Sequence, residues 1–388
     1  MRPTILIFVA TYLPGYKSGG PLQSISNLVE HLGDKFQFRV ITSDREWGGI
    51  DPYPGIKPGQ WQTLGKAQVC YLSPEMQSLR VFARLLRETP HDIVYFNSFL
   101  NSRFTTRPLL AQRLHLAQSR PIVIAPRGEF SEGALGLKST KKRIFMLVAR
   151  LIGLHSGLTW QASSEHEAAD IQNLLGHLAN DIQVARNFPR RTSAVVPLGL
   201  RQKDAPLRVV YLSRIVPMKN LVFALEVLAK VKVPVIFSIY GPYEDATYWA
   251  RCEAVIARMP SHIQVRAHGP VDTSQVMQIL SGQDLFFLPT LGENYGHVIA
   301  EAFMAGLPVL VSDQTPWRRL AESGIGADLA LHDHAPFARW IDLLSAMNKN
   351  EVTKLKKRVA KKAAQISDIS ATMRANVTLF ESRLAHLT

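Results

Sequence analysis

Short apolar, β-branched runs alternate along this chain with stretches whose apolar residues recur every three or four positions. The runs predict strands at Thr4–Ala10, Phe38–Thr42, Ile93–Asn97, Ile122–Ala125 and Leu158–Gln161. Helical patterns lie between several of them, at Leu22–Leu32, Leu79–Glu88 and Arg107–Ala117. The rhythm restarts with Leu207–Leu212, Val235–Tyr240, Ile263–Arg266, Leu285–Leu288 and Val309–Ser312. Alternation of this kind builds parallel sheets from βαβ units. Between the halves, the segment from Asn187 to Leu200 breaks the pattern with two prolines and a glycine, which marks a linker. The expected organisation is an N-terminal Rossmann-like domain over 1–188, a C-terminal one over 189–365, and a closing helix over 366–388 that packs back on the first. Two doubly wound domains facing each other would bind ligand across a cleft at the carboxyl ends of their sheets.

Composition sharpens this picture. A chain of 388 residues is long for one core and comfortable for two domains. With 46% hydrophobic and 20% charged residues it is globular rather than disordered. No apolar run is long enough to cross a bilayer. The opening Thr4–Ala10 run is too short for a signal peptide and leads into a Pro-Gly loop, so it reads as a buried strand. Cys70 and Cys252 lie far apart without metal-ligand spacing, which fits a reducing cytoplasm and no metal site. The net charge of +14 is spread over both halves and implies a general affinity for anions.

Three strand-to-helix junctions carry candidate chemistry. After the first strand, Gly19 and Gly20 precede Pro21 and a helix, where backbone amides could approach an anion without a Cβ in the way. The spacing is not the GxGxxG fingerprint, which disfavours a dinucleotide. After Leu207–Leu212, Arg214 and Lys219 lie five residues apart in a loop and could reach one diphosphate. After Leu285–Leu288, Glu293 lies in a loop and Glu301 eight residues on, inside the next helix. The amides of Asn294, Tyr295 and Gly296 are expected to open that helix, and a carboxylate suits a pair of ribose hydroxyls.

With these motifs the chain resembles a retaining GT-B glycosyltransferase of glycosyltransferase family 4. Glu293-x7-Glu301 is similar to the family's EX7E motif, Arg214 with Lys219 to its diphosphate-binding pair, and Gly19-Gly20-Pro21 to its N-terminal glycine loop. The segment from Ser312 to Trp317 resembles a subgroup of bacterial polysaccharide-assembly enzymes. The resemblance implies that Arg214 and Lys219 neutralise a leaving diphosphate, that Glu293 contacts the donor sugar and that Glu301 holds the ribose. Gly19 and Gly20 would line the phosphate side. It implies a hexosyltransferase using a UDP- or GDP-sugar as co-substrate and a saccharide or lipid-linked saccharide as acceptor. No cofactor, metal or nucleic acid is expected.

The chain departs from the family where relatives carry a His-Asp pair. Here the strand over Ile122–Ala125 leads to Arg127 and Glu129, which the resemblance places near acceptor or donor sugar. Pro197-Leu198-Gly199 stands where the family has Pro-Asn-Gly. Lys138 to Arg143 precedes an apolar helical pattern at Ile144, Phe145, Leu147, Val148 and Leu151, readable as a core-packing helix or as contact with an anionic membrane surface. Two alternatives stand beside the transferase: another GT-B enzyme such as a sugar-nucleotide epimerase, and a basic anion-binding protein without catalysis.

Overall fold

The computed structural model describes residues 2–131, 146–147, 149, 152–191 and 205–385. The basic segment at Lys138–Arg143 with Ile144, Phe145, Val148 and Leu151, and the Pro197-Leu198-Gly199 segment, lie outside the described residues. The chain divides into two compact units, Met1–Phe188 with Ile369–Thr388, and Pro189–Asp368. Among the described residues no helix is long and apolar enough to cross a membrane.

The first unit is built on β1 (Thr4–Phe8), β2 (Gln37–Ser43), β3 (Trp61–Leu64), β4 (Ala67–Leu72), β5 (Ile93–Phe96), β6 (Ile122–Ile124), β7 (Thr159–Ala162) and β8 (Asp181–Val184). They form one sheet in the order β3-β4-β2-β1-β5-β6-β7-β8, in which β3 alone runs antiparallel. Strand β1 is central, with Ile5 paired to Phe38 on one side and to Ile93 on the other. Its run Ile5 to Phe8 is fully buried because helices cover both faces of the sheet. Leu6 and Phe8 join the core under α2 (Leu79–Glu88) and α3 (Arg107–Arg113), while Ile5 and Ile7 join the core under α1 (Gly20–Leu32). Helix α4 (Glu165–Leu175) follows β7.

The second unit carries β9 (Leu207–Leu212), α5 (Leu221–Leu228), β10 (Val235–Tyr240), α6 (Ala246–Ile256), β11 (Ile263–Gly269), α7 (Val276–Ser281), β12 (Leu285–Leu288), α8 (His297–Met304), β13 (Val309–Ser312) and β14 (Gly326–Leu329). Helices α9 (Ala335–Ala346) and α10 (Lys349–Ser367) complete it. Its six strands are all parallel, in the order β11-β10-β9-β12-β13-β14. Strand order reverses between β9 and β12, and the crevice outside the carboxyl ends of two such strands is where doubly wound sheets receive ligands. The last helix, α11 (Ser370–Leu384), belongs to the first unit. Its Phe380 packs edge-on against Phe36 and Tyr95, and Asn376 donates to the Arg186 carbonyl.

Four strands escape the apolar pattern. β3 and β4 form a hairpin around Gly65 and Lys66, β8 is half-buried along its length, and β14 begins at a glycine. The edge strands β3, β8 and β14 lack the continuous apolar run that marks a central parallel strand, whereas β4 lies inside the sheet between β3 and β2 with Val69 to Leu72 buried. Helix α3 stops at Arg113, short of the expected Ala117, because His115 turns to a positive φ of 55°.

Candidate functional site

The loops leaving β9 and β12 are stitched together before any ligand is considered. Met218 presents its carbonyl to the Leu291 amide at 2.8 Å and to the Thr290 hydroxyl at 3.0 Å. Tyr211, on β9, donates its hydroxyl to the Lys219 carbonyl at 3.2 Å. Burial holds that phenol well above its ordinary range, so it stays a donor. These bonds place Lys219 Nζ 2.6 Å from Glu293 Oε2, with only 12% and 17% of the two side chains exposed. Residues 74 apart in sequence are thereby one ion pair. An ammonium has three donors, and Glu293 takes one of them.

Arg214 stands on the same β9 loop and points to a different carboxylate, Glu244, at 3.1 Å. Glu244 follows β10, and the two loops run side by side, Ile215 donating to the Pro242 carbonyl at 2.9 Å. Gly241 makes this approach possible. A Cβ there would lie 1.8 Å from the Ser213 carbonyl oxygen. The site thus holds two cations, each paired with a carboxylate from a neighbouring loop.

The helix after Glu293 starts later than its sequence suggests. Gly296 adopts φ 74° and caps α8, so the first helical amides belong to His297 and Val298 rather than to Asn294 and Tyr295. A Cβ on Gly296 would meet Ile299 at 2.8 Å, Glu293 at 3.1 Å and Trp317 at 3.2 Å. Asn294 and Tyr295 lie in the loop ahead of the helix. The loop is pinned by Trp317, whose indole donates to the Tyr295 carbonyl at 2.6 Å, and by the Glu293 amide, which donates to the Gln314 carbonyl. Lys362 from α10 rests over the Trp317 ring at 5.6 Å. Glu301 sits on α8 and is buried. Among the described residues no cluster of His, Cys, Asp and Glu is arranged to hold a metal ion.

In the first unit, Gly19 caps α1 with φ 58°, and Gly20 opens it. A Cβ on either glycine would meet nothing within 4 Å, so this turn is open to solvent on that side. The loop is anchored through Glu46, whose Oε1 accepts from the Tyr16 amide at 2.7 Å, and through Asn97, which donates to the Pro21 carbonyl at 2.8 Å. Beside it, at the carboxyl end of the sheet, lies a cavity of about 660 Å³ lined by Arg45, Glu46, Trp47, Asn101 and Arg103 among others. Trp47 is 73% exposed there.

Arg127 and Glu129 have internal partners that local spacing does not reveal. Arg127, at φ 57°, donates to Asn97 Oδ1 at 2.7 Å, to the Tyr95 hydroxyl and to Asn187. Glu129 accepts from the Phe99 and Leu100 amides, each at 2.7 Å, and from the Ser98 hydroxyl. Both side chains brace the turn that follows β5.

Comparison with known proteins adds to this geometry. Residues 199–365 match the family model for glycosyl transferases group 1. No curated protein matches the chain significantly by sequence. Among solved structures, the chain is similar to Alr3699/HepE of Anabaena in complex with UDP and glucose. The two share 16% identity with a TM-score of 0.70, over 98% of this chain and 100% of that one. It is also similar to sucrose-phosphate synthase of Thermosynechococcus elongatus, at 14% identity and TM-score 0.72 over the full length of both. WaaG, a glycosyltransferase involved in lipopolysaccharide biosynthesis, matches at 12% identity and TM-score 0.66, over 97% of this chain and 99% of that one. At these identities the likeness is one of fold, a two-domain α/β architecture with parallel sheets. Family match and fold together support a GT-B glycosyltransferase.

Three features of these loops and of the first unit are hidden from sequence spacing. Glu244 is one, since its partner lies 30 residues away on another loop. Trp317 is the second, visible only as part of an unusual tail to β13. The cavity beside Trp47 is the third, announced by nothing but an exposed indole next to Gly48 and Gly49.

Proposed function

We propose that this chain is a retaining family 4 hexosyltransferase, metal-independent, moving a hexosyl group from a UDP- or GDP-sugar to a saccharide or lipid-linked saccharide in cell-surface polysaccharide or lipopolysaccharide synthesis. The observation that carries the reading is the Lys219–Glu293 contact, made where the β9 and β12 loops meet at the reversal of strand order. Arg214 on the same loop supplies a second cation. The Anabaena neighbour, solved with UDP and with UDP-glucose, supports a nucleoside-diphosphate donor.

In this reading the bond from the anomeric carbon to the phosphate oxygen breaks, and its electron pair goes to the phosphate. Lys219 and Arg214 stabilise the charge that develops there, an effect worth about 3 kcal/mol per preorganised donor. The acceptor oxygen bonds to the anomeric carbon on the face the phosphate leaves, and its proton passes to the departing phosphate oxygen. Glu293 contacts a hydroxyl of the donor sugar and keeps Lys219 in place, and Glu301 holds the ribose. The amides near Asn294, Tyr295 and Gly296, and those of Gly19 and Gly20, serve phosphate or sugar oxygens. The cavity bordered by Trp47 and Glu46 takes the acceptor saccharide, an aromatic face and a carboxylate being suited to a sugar ring and its hydroxyls.

The test is product analysis. The chain is incubated with UDP-glucose or GDP-mannose and saccharide acceptors in the presence of EDTA, and the new linkage is examined by NMR. The reading expects transfer with the donor's anomeric configuration kept. An inverted linkage, or transfer that EDTA abolishes, would overturn it.

A further inference from the structure

Arg127 stands in the turn after β6 with a left-handed backbone, φ 57°, which a glycine would adopt freely and an arginine adopts against steric resistance. What the arginine brings to that turn is a guanidinium, a group that donates in a fixed plane and never accepts. Its Nε donates to Asn97 Oδ1 at 2.7 Å, one Nη to Asn187 Oδ1 and the other to the Tyr95 hydroxyl. All three acceptors are neutral, so these contacts fix geometry rather than pair charge.

The consequence falls on Asn97, which is buried. A carboxamide has a donor end and an acceptor end of nearly the same shape, and its neighbours decide which way it faces. Arg127 requires Oδ1 on its own side. Nδ2 is thereby turned to the Pro21 carbonyl, which it meets at 2.8 Å. Pro21 lies in the first turn of α1, directly after Gly19 and Gly20. The same guanidinium also reaches α1 by a second route. Asn187 is followed by Phe188, whose carbonyl accepts from Asn27 of α1 at 2.9 Å and whose ring stacks on His31. The contacts close a ring from Pro21 through Asn97, Arg127 and Asn187 to Phe188 and back to α1. Tyr95 stands outside that ring. Burial holds its phenol above the ordinary range, so it keeps its proton and donates to Gln161 Oε1 at 2.6 Å.

We infer that Arg127 is a positioning residue of the glycine turn: acting through Asn97, it fixes the Gly19-Gly20-Pro21 backbone in the form that receives a donor phosphate or sugar oxygen. The ligand in this statement rests on the transferase reading, while the hold on the turn rests on the hydrogen bonds alone. Arg127 acts on the ligand without touching it, since three of its N–H groups are engaged inside the first unit. A brace that only adds stability predicts no difference among the three partners of Arg127. Positioning predicts that the Asn97 contact alone reaches the turn.

The experiment compares Arg127→Gly, Asn97→Ala, their double variant and Tyr95→Phe in the full chain, by amide hydrogen exchange and by steady-state kinetics with UDP-glucose or GDP-mannose. Glycine suits the left-handed backbone, so Arg127→Gly removes the side chain without straining the turn. Arg127→Lys, which keeps the charge and loses the planar fork, takes its place where the glycine variant does not fold. The readout of the turn is the Gln23 amide, which closes it on the Gly19 carbonyl at 3.1 Å. That amide is expected to exchange roughly tenfold faster in Arg127→Gly and in Asn97→Ala, and at the wild-type rate in Tyr95→Phe. Donor KM is expected to rise about tenfold in the same two variants, with a smaller change in kcat. The double variant is expected to match the worse single one, because Arg127 has nothing to act through once Asn97 is gone. Tyr95→Phe is expected to lower the thermal midpoint with donor KM unchanged. Wild-type exchange at Gln23 in Arg127→Gly, losses that multiply in the double variant, or a KM in Tyr95→Phe as high as in Asn97→Ala would each overturn the inference. Exchange needs no turnover, so a wild-type chain without transfer would sink the transferase reading and leave the Gln23 amide to decide this one.

Discussion

Lys219 Nζ lies 2.6 Å from Glu293 Oε2, and this contact ties the loop after β9 to the loop after β12. Both side chains are largely shielded from water, so each needs the other. The pair is also the meeting point of the two motifs that sequence spacing presents as separate.

A double-mutant cycle measures that dependence. Lys219→Met and Glu293→Gln are each expected to destabilise the chain by about 1–3 kcal/mol, since each leaves its partner half-satisfied in a shielded place. The double variant is expected to fall short of the sum by at least ~0.5 kcal/mol. Urea unfolding of the four proteins checks this, and strict additivity would show that the contact carries no energy.

Gly296→Ala is expected to injure stability and activity together. The backbone there is left-handed, and the added methyl would press on Ile299, Glu293 and Trp317. A cost of about 1–3 kcal/mol is expected in unfolding. A larger loss is expected in kcat, because Glu293 is one of the atoms displaced. A variant with normal turnover would remove the Glu293 loop from the mechanism.

Removing Glu244 separates positioning from stability. Its pair with Arg214 is well exposed, so Glu244→Ala should change the unfolding free energy by less than about 1 kcal/mol. Donor KM is expected to rise modestly as Arg214 loses its orientation, and Arg214→Ala to lower kcat by about two orders of magnitude. Steady-state kinetics on the two variants distinguish these effects. Equal and large losses of kcat in both would make Glu244 a direct participant.

The lesson about legibility lies in these same residues. The buried strands β9 and β12 announce themselves as apolar runs, and so Arg214, Lys219 and Glu293 could be placed in the loops that follow them. The edge strands β3, β8 and β14 carry no such run and stayed hidden. Gly296 moved the start of α8 to His297, because a positive φ cannot be read from spacing. Arg127 and Glu129 stood out by their position, yet their partners Asn97, Asn187, Ser98 and Tyr95 come from other loops and strands. Pairings set by tertiary packing have no local signature.

Acid is expected to destabilise the first unit through His155. Burial, with Arg113 adding to it, pushes this imidazole down to about 4 from an ordinary 6.5. The folded form is therefore neutral, and the unfolded chain takes up the proton first as pH falls. Between about 6.5 and 4 the unfolded state binds more protons, so stability falls with pH by up to ~1.4 kcal/mol per unit. His91, also lowered by burial, acts in the same direction. Urea midpoints at pH 7 and pH 5 report the slope, which His155→Phe should reduce. An unchanged slope in that variant would place the acid sensitivity elsewhere.

Nucleotide binding is the direct test of the Lys219 site. Isothermal titration of UDP and GDP into the wild-type chain and Lys219→Ala, with EDTA present, asks whether the paired loops form a diphosphate site. One of the two nucleotides is expected to bind the wild-type chain without metal, and the variant to bind it at least tenfold more weakly. Equal affinity in the variant, or no binding of either nucleotide to the wild-type chain, would contradict it.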